Sequence, residues 1–191
     1  MARFTEDFLR VYQSQKGNTF TKVINCWRTP GVHAIAVYRL GHWLKNKSLL
    51  LKIFLGPLYL AFDHRIRTRW GIAIDRHAEI GPGCYIGHYG GITISGRTKI
   101  GRNANISQQV TIGVSGQGEK EGAPRIDNDV YIAPGAKIFG KIHIGSNVKI
   151  GANAVVYKDI PDNAIVVLDP GFRIISFKGN QGAEKQTLSK A

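Results

Sequence analysis

The sequence predicts a mainly β protein: a parallel β-helix of hexapeptide repeats preceded by a helical N-terminal region. Three observations point there. From Ile74 to Val156 an aliphatic residue recurs every six positions, the residue after it is repeatedly small, and the periodicity of the chain changes near residue 70. A period of six suits neither a helix, at about 3.6, nor an alternating strand, at about two. It suits short strands wound into a triangular coil, with the aliphatic side chain pointing inward and stacking coil upon coil.

The helical region occupies residues 1–70. Thr5 followed by Glu6 and Asp7 opens a first short helix, with acids at the positive end of its dipole. Thr29-Pro30 is a second start signal, a capping threonine with proline at the first helical position. His33 to Leu44 carries mixed apolar and basic faces, and Lys45-Asn46-Lys47-Ser48 breaks the pattern. A third apolar segment runs Leu49 to Leu55, then Gly56-Pro57, then Leu58 to Phe62, and a basic flank of Arg65, Arg67 and Arg69 closes the region.

The repeats begin at Ile74, Ile80, Ile86 and Ile92, slip by two to Ile94, and resume at Ile100, Ile106 and Ile112. After an interruption they return as Ile126, Ile132, Ile138, Ile144, Ile150 and Val156. The small residue after the aliphatic one is expected to let the chain turn the corner. The interruption contains Ser115-Gly116-Gln117-Gly118-Glu119, which cannot fill a prism core, so 114–125 is expected to be a loop thrown out from one corner. The divisions are a helical region 1–70, a β-helix domain 71–175 carrying that loop, and a polar tail 176–191.

Composition narrows the function. Hydrophobic residues make up 43% and charged residues 20%, as in a globular protein able to bury a core. The two cysteines, Cys26 and Cys84, form neither a disulfide scaffold nor a zinc knuckle. Acids stand where a signal peptide needs an apolar run, which implies a cytoplasmic protein. Leu49 to Phe62 is 14 residues long with Lys52 and Pro57 inside, short of the about 20 that a membrane span needs. The net charge is +13, and residues 1–70 hold 12 basic against 3 acidic residues, which suggests a polyanionic partner. No nucleic-acid recognition motif accompanies that charge. No metal is expected: a zinc site would need three converging histidines, and His77, His88 and His143 are 11 and 55 positions apart.

The hexapeptide tract with its loop resembles the left-handed β-helix acyltransferases of the serine acetyltransferase group, including relatives that O-acetylate colanic acid and capsular sugars. The resemblance rests on Pro30-Gly31-Val32-His33-Ala34, Tyr38-Arg39 and His42-Trp43-Leu44. It continues through Gly81 to His88, Gln108 to Gly113 and Ala152 to Pro161. It implies left-handedness, a homotrimer and acetyl-CoA as cosubstrate. It also places the family's catalytic histidine on His88, as general base, and puts Gly113, Ala133, Ala152 and Lys158 along the acetyl-CoA.

The sequence departs from the serine enzymes at four places. Their catalytic aspartate falls on Ala73, the aspartate before the histidine on Gly87, and the loop's Arg-His pair on Gly122-Ala123. The groups that would hold an amino acid's ammonium and carboxylate are missing, which points to a sugar hydroxyl in a glycan or lipid-linked saccharide. A serine O-acetyltransferase-like activity and an amino-sugar N-acetyltransferase are the enzymatic alternatives, and a membrane-surface scaffold is the non-enzymatic one. Asp75, Glu79 or a neighbouring subunit's carboxylate could orient His88. The apolar segment with its basic flanks suits either peripheral contact with an anionic membrane or packing against other subunits.

Overall fold

A computed structural model of the chain describes residues 2–168. The polar tail 176–191 and the last residues of the 71–175 domain lie outside the described residues. Four helices come first: α1 (Ala2–Ser14), α2 (Thr19–Arg28), α3 (Pro30–Leu44) and α4 (Leu49–Trp70). Pro30 starts α3 as its sequence predicts. α2 went unread in the sequence; its cap is Asn18, whose side chain accepts from the Thr21 amide. α4 runs unbroken through Gly56-Pro57, because a lone proline forfeits one backbone hydrogen bond and need not end a 22-residue helix. Gly71, left-handed at φ +60°, stops it, with its amide donating to the Arg67 carbonyl.

The strands are two or three residues each. They are β1 (Ile72–Ile74), β2 (Glu79–Ile80), β3 (Ile92–Ile94), β4 (Lys99–Ile100), β5 (Asn105–Ile106), β6 (Thr111–Gly113) and β7 (Arg125–Ile126). After these come β8 (Tyr131–Ile132), β9 (Lys137–Phe139), β10 (His143–Ile144), β11 (Lys149–Ile150), β12 (Val155–Val156) and β13 (Ile165–Val166). They form three parallel sheets: β1-β3-β6-β9-β12, β2-β4-β7-β10 and β5-β8-β11-β13. The chain visits the first, second and third sheet in turn, so each circuit is one coil of a triangular prism.

Register explains the irregularities of the repeat. An ordinary coil is 18 residues, as in Ile94↔Ile112 and Ile132↔Ile150. The first coil is longer by two, pairing Ile74 with Ile94 and Ile80 with Ile100, and the excess lies in residues 87–91. The loop 114–125 stretches the pairing to Ile112↔Ile138. It is not loose: Ser115 and Gly122 form an antiparallel bridge, and Glu121 meets Arg97.

All fourteen aliphatic positions of the repeat are buried. Ile132 and Ile150 are 0% exposed on adjacent coils, while the outward Lys149 lies over the Tyr131 ring. Truncating either isoleucine to alanine is expected to cost about 2–5 kcal/mol through lost burial and a cavity. Lys149→Ala should stay within about 0.5 kcal/mol, as surface changes do. Urea unfolding of the three variants checks the difference.

The corner device differs from the expected one. The left-handed residue is the fourth of the hexad rather than the second: Gly83, Asn103, Asp129 and Asn147 at one corner, Gln109, Gly135 and Asn153 at the next. Asparagine, aspartate and glycine tolerate that conformation best. The second position is small for another reason: a Cβ on Gly81 would stand 2.5 Å from the Gly101 carbonyl oxygen of the adjacent coil.

The helices close the exposed end of the prism. β1 and β2 are edge strands, with backbone groups that no earlier coil can satisfy. Tyr38 Oη donates to the Ala78 carbonyl at 2.7 Å and accepts from the Ile80 amide at 3.1 Å. Arg39 donates to the carbonyls of Ile80 and Gly81, and Arg10 to those of Gly83 and Ala104.

Candidate active site

His88 sits in the two-residue excess of the first coil, at the corner where the third sheet passes to the first. Gly90 and Gly91 take φ of +100° and +68°, which lets the chain fold back, and the Gln109 amide pins the Gly90 carbonyl at 2.7 Å. The slip in the repeat is therefore the feature that pushes His88 outward; its imidazole is exposed.

The helical region supplies the facing wall. Gln15, Asn25, Arg28 and Thr29 line an opening of about 440 Å³ together with His88, Tyr89 and Gln108. Gly31 permits this approach: a Cβ there would lie 1.9 Å from the Ile86 carbonyl oxygen. Gln108 Oε1 is buried without a hydrogen-bond partner among the described residues. None of the helix-borne residues could be read from the sequence, since their place depends on how α1 to α3 dock; Gln108 carried a signal only as part of the Gln108-to-Gly113 motif.

The carboxylates considered as partners of His88 lie at a different corner. Asp75 accepts from both the backbone amide and Nδ1 of His77, at 2.8 and 2.9 Å. Partial burial pushes its carboxyl up, but those hydrogen bonds outweigh it and hold the pKa below the ordinary value. Glu79 on β2 pairs with Lys99 at 3.3 Å. Within the described residues of one chain, no carboxylate lines the opening.

Of the residues assigned to acetyl-CoA, Ala133 and Ala152 stand on the same corner as His88, two and three coils along, about 10 and 14 Å at a spacing of about 4.8 Å. Gly113 and Lys158 do not join them within the chain. Gly113 ends β6 opposite Phe139, where a Cβ would meet nothing within 4 Å. Lys158 is exposed, over the Tyr157 ring beyond β12. Among the described residues no cluster could hold a metal ion. Cys84 is no nucleophile: burial pushes its thiol up to about 12.

The prism is built of hexapeptide repeats, and the bacterial transferase hexapeptide family (six repeats) matches residues 123–158. A serine acetyltransferase of Mycobacterium tuberculosis is 38% identical over 153 residues, 80% of this chain and 63% of that protein. A serine acetyltransferase of Helicobacter pylori is 37% identical, over 72% of this chain and 77% of its own length. The chain belongs to the serine acetyltransferase family. It spans 63% and 61% of the Mycobacterium tuberculosis and Synechococcus elongatus relatives. Among solved structures, Neisseria gonorrhoeae serine acetyltransferase in complex with serine superposes with a TM-score of 0.73 at 28% identity, covering 90% of this chain and 68% of that one. The Brucella abortus enzyme gives 0.73 at 28% identity, covering 91% and 68%. These similarities support the serine acetyltransferase side of the expected resemblance and lend nothing to its polysaccharide side.

Proposed function

We propose that the chain is an acetyl-CoA-dependent O-acetyltransferase of the serine acetyltransferase type, with His88 as general base. The observation that carries this reading is an exposed imidazole held at the corner where Ala133 and Ala152 stand two and three coils further along. Neutral imidazole accepts the proton of an acceptor hydroxyl as its oxygen adds to the thioester carbon. The C–S bond then breaks and the imidazolium returns the proton to sulfur, so free CoA thiol leaves and the acceptor carries the acetyl ester. The homotrimer implied by the resemblance belongs to this reading, and a neighbouring subunit is where the carboxylate partner of His88 would come from.

L-serine is the acceptor that the relatives' name indicates. A second reading, a sugar hydroxyl, rests on one observation: the opening holds Arg28 but no carboxylate for an ammonium group. Gly122, where the family's arginine would fall, packs so that a Cβ would come 2.6 Å from the Lys141 side chain. An unmatched ammonium forfeits about 1.5–3 kcal/mol per charged hydrogen bond. Thiol release from acetyl-CoA is the test, with L-serine and with neutral saccharides. Saturable release with L-serine, well above hydrolysis, is the expected result. A rate with L-serine no higher than hydrolysis, alongside stimulation by a saccharide, would move the acceptor to the second reading.

A further inference from the structure

The helical region carries an apolar surface that nothing in the described chain covers. From Leu49 to Phe62, α4 is interrupted by a single charge, Lys52, and only Tyr59 of that stretch is buried. Leu50 and Phe54 are 68% and 75% exposed. A helix apolar on every side persists only where something apolar surrounds it. The surface continues into a groove of about 540 Å³ lined by Trp27, Val37, Leu40, Phe62 and Trp70, in which Arg65 is the one formally charged residue.

Basic side chains bracket this surface. Residues 45–70 hold six of them, Lys45, Lys47, Lys52, Arg65, Arg67 and Arg69, against one acid, Asp63, which Arg67 already engages at 2.6 Å. At the near end Lys47 Nζ lies 4.8 Å from the Trp43 ring centroid, and at the far end the Arg69 guanidinium lies 6.0 Å from that of Trp70. Tryptophan beside a cation is suited to a membrane–water boundary, with an apolar ring and a polar edge.

We infer that this face docks on an anionic lipid bilayer. The apolar half of α4 enters the interfacial layer, while the flanking lysines and arginines meet headgroup phosphates. The helix lies in the surface rather than crossing it, since this fourteen-residue stretch reaches about 21 Å against a hydrocarbon core of about 30 Å. A second copy of the chain in a two-fold contact is the poorer occupant. A self-complementary contact would set these basic flanks against one another, with Asp63 as the only acid to offset them.

The test floats the full chain with vesicles of phosphatidylcholine alone, and with vesicles that also contain phosphatidylglycerol. The expected result is flotation with the anionic vesicles at low salt, weakened at least threefold at high salt. Leu50→Ser with Phe54→Ser should lower it at least tenfold, with helix content unchanged by circular dichroism. Arg65→Gln with Arg69→Gln should abolish the preference for anionic lipid. Absence of wild-type flotation at low salt, or equal flotation with both vesicle types, overturns the inference. So does an oligomer that fails to float and dissociates on the Leu50/Phe54 double substitution, which assigns the face to a second copy.

Discussion

Replacing His88 by alanine is expected to lower turnover at least about a hundredfold, while folding and acetyl-CoA binding persist. The size follows from the work assigned to the imidazole: general-base assistance contributes about 10²–10⁴-fold. That the fold should survive follows from its place. His88 is exposed, in an outward loop whose shape is set by Gly90, Gly91 and the Gln109 amide rather than by the imidazole. Steady-state thiol release at saturating acceptor, with thermal unfolding of the same samples, separates lost chemistry from lost structure. Near wild-type turnover by a folded His88→Ala variant would falsify the assignment.

That histidine was legible in the sequence; most of its surroundings were not. The prism was legible because each coil repeats one local rule, an inward aliphatic every six residues, and the rule was obeyed from Ile74 to Val156. Even the slip from Ile92 to Ile94 had meaning, since it is the chain length that forms the 87–91 loop. The facing wall was opaque because Arg28 and Asn25 come to His88 only through docking of the helices on the first coil. That docking depends on close approaches such as Gly31 to Ile86, which no pattern within the helix announces. The turn residues were misread because asparagine at the fourth hexad place looks like any solvated side chain until its φ is known. Tyr38 and Arg39 entered only as part of a family resemblance, although their chemistry is plain once the first coil is seen to lack a preceding neighbour.

The largest stability effect expected in the helical region falls on Asp7. Its carboxylate is buried, 3% exposed at the side chain, and accepts from Arg39 Nε at 2.9 Å and Nη2 at 3.1 Å, and from the Cys84 amide at 2.8 Å. Arg39, 10% exposed, also donates to the carbonyls of Ile80 and Gly81. Burial works against the guanidinium's charge, but Asp7 more than offsets it and holds the arginine's pKa above its ordinary value. Asp7→Ala would leave that cation buried without its counter-charge and the Cys84 amide without an acceptor. Breaking one side of such a pair costs about 3–5 kcal/mol. Asp7→Leu combined with Arg39→Met should be milder than either single change, because an apolar pair leaves no orphaned charge, although the two carbonyls would still lose their donor and the Cys84 amide its acceptor. Urea unfolding of the single and double variants gives the coupling between the two sites. A cost below about 1 kcal/mol for Asp7→Ala would mean that the pair does not hold the helices on the prism. A large cost should instead appear together with weakened turnover, since Gln15, Asn25 and Arg28 reach the His88 opening only while these helices stay docked.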